Sequence, residues 1–206
     1  MKIKTIKSKF MRGSFDQNTY VLIKGKEAII IDAGAEIEDV KNALQGAKVL
    51  AILITHLHFD HIWNIEKYLK EFDADIFIVS GHQNYFDDSK LNASFMIRKD
   101  MHFNVSEKRL KNYAKKLNIG SFNIDVFFTP GHSADSVCLL IENDLFSGDT
   151  VFDDGIGRTD LFDSSNEDMK NSLKLIKTIN FDFAYPGHFN STDRAKILKT
   201  ISYYID

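Results

Sequence analysis

The stretch Thr55-His56-Leu57-His58-Phe59-Asp60-His61 comes directly after the apolar run Val49-Leu50-Ala51-Ile52-Leu53-Ile54. The run is continuous and rich in β-branched residues, which is typical of a strand covered on both faces. Four of the six residues from 56 to 61 are histidine or aspartate. Burying these groups behind such a strand without partners would cost several kcal/mol. The pattern therefore predicts a metal site at the end of a buried strand.

The spacing inside this stretch predicts more than one ion. Alternate residues of an extended segment point to the same side, so His56 and His58 can reach one ion together. Asp60 and His61 begin the next turn of the chain and can face a neighbouring ion. A single ion could not use all four side chains that the stretch offers. We therefore expect two adjacent metal positions.

Three later loops offer further ligands, and each directly follows a predicted strand: Gly131-His132-Ser133, Ser147-Gly148-Asp149-Thr150 and Pro186-Gly187-His188. In layered α/β folds, loops at strand ends present side chains to ligands. We expect His132 to complete the first site with a third imidazole. His188 would join Asp60 and His61 at the second site. Asp149 has two carboxylate oxygens and could bridge the two ions.

The donor types predict which ions bind and what they do. Imidazole and carboxylate suit zinc, iron or manganese, and the lack of cysteine ligands argues against a closed structural zinc site. We expect two divalent ions, with zinc first and iron or manganese as alternatives. Such a pair, about 3.5–4 Å apart, can share a water molecule and lower its pKa toward ~7. His82 and His102 stand outside these loops and are not assigned to the site.

The remaining composition is that of an ordinary globular chain. Its 206 residues fit one domain, residues 1–206, and its net charge of −3 gives no reason to expect nucleic acid or an anionic membrane as partner. Residues 1–7 alternate charged and apolar side chains, unlike a secretory signal, and no run approaches ~18 apolar residues. The single cysteine, Cys138, cannot form an internal disulfide. We therefore expect a cytoplasmic protein.

Periodicity and turn signals predict alternating strands and helices. The predicted strands are 19–23, 28–31, 49–54, 76–79, 122–128, 137–141 and a short one around 145–146, followed by 183–185. The predicted helices are 36–44, 63–72, 109–117, 166–179 and 193–204. Residues 80–106 are polar with scattered Phe and Met, and the sequence assigns them no structure; they could shape a substrate pocket or a subunit contact.

Taken as a set, the His56–His61 motif and the three later loops resemble the metallo-β-lactamase superfamily from about Asn18 to His188. The resemblance implies an α+β fold, the αβ/βα four-layer sandwich. In it, two mixed β-sheets face each other, helices cover the outside, and metals lie at one edge.

Within the superfamily, the chain looks like the small bacterial glyoxalase II-like, or hydroxyacylglutathione hydrolase-like, proteins. This resemblance rests on Asp149-Thr150-Val151-Phe152 followed by Gly157-Arg158-Thr159-Asp160-Leu161. His58, where flavo-diiron oxygen reductases usually carry Glu, favours a hydrolase. Common zinc β-lactamases carry a cysteine where Asp149 stands. RNA-processing members have an inserted domain or a basic surface, for which the sequence gives no sign.

The resemblance implies a metallohydrolase that cleaves a small acyl-thioester substrate, such as S-lactoylglutathione or a related acyl-thiol. Metal-bound hydroxide would attack the acyl carbon, and Asp60 would orient it in addition to binding metal. Arg158 stands where glyoxalase II has a basic residue that contacts glutathione, which implies a substrate-binding role. An ion pair of Arg158 with Asp160 or Asp154 is the structural alternative. Asp160 stands where glyoxalase II has an aromatic residue that contacts glutathione. This difference weakens the expectation that glutathione is the thiol of the substrate.

Three other functions stay open at this point. A persulfide dioxygenase-like mono-iron oxidoreductase shares the fold, and the ligand set does not separate it from a hydrolase. A hydrolase acting on other esters or on lactones fits the same residues. A degenerate domain kept for interaction is disfavoured by the complete ligand set. The oligomeric state does not follow from the sequence.

Overall fold

The computed structural model describes residues 1–9 and 16–205, which contain two six-stranded β-sheets. The strands of the first sheet lie in chain order: β1 (Lys2–Lys7), β2 (Asn18–Lys24), β3 (Glu27–Ile31), β4 (Lys48–Leu53), β5 (Asp75–Ile78) and β6 (Leu110–Asn112). Strands β1 to β3 pair antiparallel, and β3 to β6 pair parallel. The first sheet is therefore mixed, and its parallel half contains the β4 end at which the metal motif begins.

The second sheet has the order β12-β11-β10-β9-β8-β7. Its strands are β7 (Lys116–Ile119), β8 (Phe122–Phe128), β9 (Val137–Ile141), β10 (Asp144–Gly148), β11 (Phe183–Pro186) and β12 (Thr192–Asp193). The β10–β11 pair is parallel, and the other neighbours are antiparallel. As a result β8, β10 and β11 run in the same direction, and the loops after them emerge at one edge.

Four α-helices cover the outer faces of the sheets: α1 (Ile37–Leu44), α2 (Ile65–Glu71), α3 (Asn166–Thr178) and α4 (Arg194–Ile205). The sheets face each other through a buried apolar layer in which Leu22 and Leu53 pack with Phe122 and Leu139. Separate apolar layers join α1 and α2 to the first sheet and α3 and α4 to the second. The order helix, sheet, sheet, helix confirms the predicted four-layer sandwich.

Most predicted elements are confirmed with ends shifted by at most two residues, but the helix predicted at 109–117 is wrong. This segment forms β6 and the start of β7. Leu110 pairs with Ile76 of β5, and Tyr113 is buried between the sheets, where its hydroxyl donates to the carbonyl of Ile54 at 3.1 Å. Pairing at the sheet edge overrides the local helical pattern, because the backbone groups of the segment find their partners in another strand.

The short strands β1 and β12 are not predicted from the sequence. Strand β1 alternates exposed and half-buried residues and adds to the edge of β2. Residues 80–106 form two short 3-10 helices, Gln83–Phe86 and Ser94–Ile97. No helix among the described residues combines the length and the apolar character needed to cross a bilayer.

Candidate metal centre

All seven predicted ligands lie together at one edge of the sandwich. His56 to His61 follow β4 of the first sheet, whereas His132, Asp149 and His188 follow β8, β10 and β11 of the second. Six of the seven are buried, and His188 is partly buried. The strands that precede these residues end at the same edge of the two sheets. They therefore bring together side chains that lie up to 132 positions apart in the chain, from His56 to His188.

The first group of ligand atoms is an imidazole triad. One ring nitrogen from each of His56, His58 and His132 lies within 4.8 Å of the other two. The ring centroids of His56 and His132 are 5.0 Å apart, and those of His58 and His132 are 4.6 Å apart. This is the triad that the motif spacing predicts for the first position.

The second group contains Asp60, His61 and His188, again with ligand atoms within 4.8 Å of one another. The Oδ2 atom of Asp60 is 3.1 Å from Nε2 of His188 and 4.0 Å from Nε2 of His61. Asp149 lies between the two groups. Its Oδ2 is 3.5 Å from Nε2 of His132 and 3.4 Å from Nε2 of His188, and its Oδ1 is 3.4 Å from Nε2 of His61.

The buried nitrogens at the centre of these groups fit a divalent cation. Within the described part of the chain, the Nε2 atoms of four histidines have no hydrogen-bond partner: His56, His58, His61 and His132. An unpaired buried polar atom is costly, and four around one point need a common partner. Neutral imidazole nitrogens beside carboxylate oxygens are ligands that zinc, iron and manganese accept. The cluster is therefore positioned for a metal site.

The opposite nitrogens of the rings are held by the protein. Nδ1 of His61 lies 2.7 Å from Oδ2 of Asp32. Nδ1 of His132 is 2.9 Å from the carbonyl oxygen of Arg158, and Nδ1 of His188 is 3.2 Å from that of Asp16. Partners of this kind fix the tautomer and orientation of a metal-binding imidazole and leave Nε2 facing the ion.

Asp32 is the member of this outer layer that sequence reasoning missed. Its carboxylate accepts hydrogen bonds from the backbone N–H and the hydroxyl of Thr55, and from the amide of Gln17, while it contacts His61. Its φ of 61° lies in the left-handed region, which aspartate tolerates better than most residues. The sequence signal that could have identified Asp32 is its position directly after the apolar strand β3. A carboxylate at that position is buried and needs hydrogen-bond partners.

Burial and neighbouring charges set the pKa values of the cluster. Burial, followed by the nearby imidazoles, lowers the pKa of His56 and His58 well below the usual histidine value, which keeps both rings neutral as metal ligands. Burial opposes ionisation of Asp149, but His188 and His61 outweigh it and hold its pKa well below the usual range. Burial also opposes protonation of His61 and His188, but the carboxylates of Asp32 and Asp149 outweigh it and raise the pKa of both rings. The cluster therefore combines two neutral imidazoles, an ionised carboxylate and two imidazoles that must release a proton when they bind a metal.

Close approach of the backbone explains the glycine before His188. A Cβ atom on Gly187 would lie 2.2 Å from Oδ1 of Asp149 and 2.6 Å from Cε1 of His61. Any larger residue would therefore enter the space between the ligands. The same loop is fixed from the first sheet, where the N–H of Asn18 donates to the carbonyl of Gly187 at 2.7 Å.

A second buried aspartate, also missed by sequence reasoning, connects the two ligand loops. Asp135 accepts the backbone N–H of Leu57 at 2.8 Å and the hydroxyl of Ser133. Leu57 lies between two of the predicted ligands, and Ser133 follows another. Burial raises the pKa of Asp135 from 3.8 to about 6. The contact holds the loops of the two sheets against each other.

The cluster opens into a cleft of about 400 Å³. The cleft is bounded by Ala93 and Met96 from the segment that the sequence left unassigned, and by residues after β10. Arg158 lines it but binds Asp160 through one edge of its guanidinium, with Nε at 2.6 Å and Nη2 at 2.7 Å from the two carboxylate oxygens. The ion pair foreseen as the structural alternative is thus present, and a role of Arg158 in substrate binding stays a prediction. His82 and His102 lie outside the cluster on the surface.

Sequence and structure comparisons identify the family that this fold and site define. Residues 12–188 match the profile of the family described as the Metallo-beta-lactamase superfamily, and the chain therefore belongs to it. Together with the histidine–aspartate cluster and the relatives that follow, this makes the protein a metallohydrolase.

Among similar curated proteins is the probable metallo-hydrolase YqgX of Bacillus subtilis (strain 168), 34% identical over 88% of this chain and 89% of the relative. The probable polyketide biosynthesis zinc-dependent hydrolase PksB of the same organism is 28% identical over 91% of this chain and 78% of its own length. The crystal structure of BLEG-1 B3 metallo-beta-lactamase superposes with a TM-score of 0.88 and 30% identity over the whole of both chains.

Proposed function

We propose that the protein is a thioester hydrolase with two metal ions, zinc by preference. His56, His58 and His132 would hold one ion, Asp60, His61 and His188 the other, and Asp149 would bridge them. The observation that carries the proposal is the set of unpaired buried Nε2 atoms around Asp149, in two groups rather than one. The zinc-dependent hydrolase PksB, named as such, supports zinc as the first choice.

The metals and the protein would divide the chemistry between them. When bound, the two ions supply a water molecule of lowered pKa and polarise the substrate carbonyl. Asp60 presents a carboxylate at the floor of the cleft, where it can accept a hydrogen bond from the attacking water and orient it. His61 is held by Asp32, so the loop that carries Asp60 keeps its orientation during turnover.

The residues around the cleft favour a thioester over an amide or an alkyl ester. Apart from the proposed ligands, the titratable side chains among the described lining residues are Asp154 and Arg158, and Arg158 is tied to Asp160. The guanidinium of Arg158 does not give up its proton at neutral pH. A leaving group that needs protonation would be poorly served, whereas a thiolate leaves with little protonation.

The test begins with elemental analysis of the purified protein, for which we expect about two metal ions per chain. Hydrolysis of S-D-lactoylglutathione is then measured beside an acyl-CoA, a lactone and the β-lactam nitrocefin, because BLEG-1 is named a β-lactamase. A thioester should have the highest kcat/KM. One iron per chain with O₂ uptake on a persulfide would instead favour the dioxygenase alternative.

Asp149→Ala is the decisive variant. Losing the bridging carboxylate should lower kcat by at least about 100-fold, since even outer partners of metal ligands contribute 10–100-fold. Asp60→Ala should show a comparable loss. Asp125→Ala, which removes a surface carboxylate paired with Lys116, serves as control and should retain the parent rate. A folded Asp149→Ala protein that hydrolyses thioesters at the parent rate would falsify the proposal.

A further inference from the structure

Five apolar side chains line the cleft over the histidine–aspartate cluster, and together they are called the apolar wall: Met96, Phe152, Ile156, Leu161 and Phe189. The rings of Phe152 and Phe189 meet edge to face at a centroid distance of 5.2 Å. Phe189 is nevertheless 56% exposed. An apolar wall open to solvent directly above a polar reactive centre is typical of a surface that a ligand covers.

Two parts of this wall are held in backbone conformations that their residues rarely adopt. Phe189 has a φ of 64°, in the left-handed region that a bulky residue avoids. Ala93 and Arg98, with φ of 60° and 56°, flank the 3-10 helix that carries Met96. Such conformations persist where the surrounding structure enforces them, and they cluster at ligand sites. The apolar side chains are thus held over the cleft at a cost in local strain.

The Met96 side of the wall is also fixed to the metal loop. The amide of Asn92 donates to the carbonyls of Tyr85 and Met101 at 3.0 and 3.1 Å. The backbone carbonyl of Asn92 accepts the N–H of Phe59, which lies between two of the proposed ligands, at 2.8 Å. The wall therefore keeps a constant position relative to the reacting centre.

The charges at the cleft do not favour an anionic group beside this wall. The guanidinium of Arg158 binds the carboxylate of Asp160 through one edge, its Nε and Nη2 atoms, and its charge is balanced there. Asp154 adds a further negative charge to the described lining. Among the described lining residues outside the histidine cluster, the cation is Arg158, whose charge Asp160 already balances, so a carboxylate placed against the wall would lose its hydration without meeting an unbalanced positive charge.

We infer that this wall binds the acyl part of the substrate and that the acyl group is apolar. A linear or aryl acyl chain of medium length would lie against Met96, Phe152 and Phe189, with its carbonyl over the metals. A short hydroxyacyl group such as lactoyl would leave the apolar side chains of the wall exposed to water. An apolar acyl group narrows the substrate class of the proposed thioester hydrolase. That the substrate is a thioester rests on the proposed function, whereas binding of an apolar acyl chain to the wall does not.

Binding and turnover are measured separately. Titration calorimetry of the metal-loaded protein compares acetate, butyrate, hexanoate and lactate, which mimic the acid product. We expect affinity to rise with chain length, by at most about fourfold per methylene, and lactate to bind no better than acetate. The matching N-acetylcysteamine thioesters, whose thiol is small and neutral, should show the same order in kcat/KM.

Phe189→Ser and Met96→Ser should weaken the dependence of carboxylate affinity and of thioester kcat/KM on acyl chain length. Phe183→Ser is the matched control: Phe183 is 50% exposed but lies at the start of β11, the opposite end from His188. The control should keep the slope of the parent protein. Circular dichroism spectra and thermal melting check that each variant is folded.

The outcomes separate the two proposals. The apolar wall is not the acyl site if carboxylate affinity does not change with chain length in the folded parent protein. The same conclusion follows if Phe189→Ser and Phe183→Ser reduce the dependence of affinity on chain length equally. Length-dependent carboxylate binding without any thioester hydrolysis overturns the proposed reaction and leaves the acyl site standing. A preference for the lactoyl thioester over the hexanoyl thioester contradicts the inference while supporting the reaction.

Discussion

At the scale of single residues, two buried aspartates organise the ligand cluster from outside it. Asp32 holds His61 through a contact of 2.7 Å, and Asp135 ties the backbone of Leu57 to the loop that follows His132. Both are at most 2% exposed. Their surroundings differ: Asp32 faces an imidazole, whereas Asp135 accepts hydrogen bonds from a backbone N–H and a hydroxyl.

Asp32→Asn should weaken metal binding by about 10–100-fold with little change in fold. Asparagine tolerates the left-handed backbone and can still accept from Thr55, but it loses the negative charge beside His61. Competition with a chromophoric zinc chelator measures the affinity. Asp125→Asn at the surface is the control, and equal affinity in the two variants would contradict the role assigned to Asp32.

Asp135→Asn should change how stability depends on pH. Because burial raises the pKa of Asp135 from 3.8 to about 6, the native protein holds its proton more tightly than the unfolded chain does. Its contribution to stability is therefore greatest below about pH 4 and is lost as the pH rises through about 6. The difference between a pKa of 3.8 and one of about 6 corresponds to up to about 3 kcal/mol of stability.

The free energy of unfolding in urea, measured from about pH 4 to about pH 8, tests this expectation. The parent protein should lose stability relative to Asp135→Asn across that range. Parallel pH curves for the two proteins would show that the carboxyl group of Asp135 does not carry this dependence.

At the scale of elements, the site depends on strands that end together and on one irregular segment that packs against them. The segment from Gln83 to Met101 contains 3-10 turns rather than longer helices, and its shape depends on the buried side chain of Asn92. Through the N–H of Phe59, it also contacts the loop that carries the proposed ligands His56 and His58.

Asn92→Ala should destabilise this segment by about 1–3 kcal/mol, because the carbonyls of Tyr85 and Met101 lose their donor. Hydrogen exchange followed by mass spectrometry should show faster exchange in residues 83–103 than in β2 to β4. Asn104→Ala is the control, since only the backbone N–H of Asn104 bonds to Glu66. Unchanged exchange in Asn92→Ala would contradict the anchoring role.

At the scale of the whole molecule, the metal cluster lies across the junction of the two sheets. The loop after β4 belongs to the first sheet, and the other three ligand loops belong to the second. The sheets already meet there through the N–H of Val137, which donates to the carbonyl of Thr55 at 2.9 Å. Ions held by ligands from both sides would join the sheets further.

Removal of the metals should therefore lower the melting temperature by about 10 °C. An ion present at about 1,000 times its Kd stabilises the native state by about 4 kcal/mol, and each kcal/mol shifts Tm by about 2–4 °C at this chain length. Differential scanning calorimetry with and without a chelator measures the shift. Asp149→Ala should respond much less to the chelator, and an identical response would argue against metals joining the sheets.

The sequence alone predicted the seven side chains that cluster and the fold that brings them together. The strand and helix periodicities indicate the elements, and the resemblance to the metallo-β-lactamase superfamily implies their arrangement as a sandwich. The apolar strand followed by His56-Leu57-His58-Phe59-Asp60-His61 indicates which side chains face a site, because that signal needs only neighbouring residues. The same is true of the hairpin at Lys24-Gly25-Lys26, which the structure confirms between β2 and β3.

Only the tertiary structure decided the features that depend on distant partners. Residues 109–117 form strands because Leu110 to Asn112 pair with β5 and Tyr113 packs between the sheets. Asp32 and Asp135 acquired their roles from His61 and Leu57, and Met96 and Phe189 became one wall although they are 93 positions apart. A side chain's burial and partners are set by where the sheets bring other segments, and a local pattern does not contain that information.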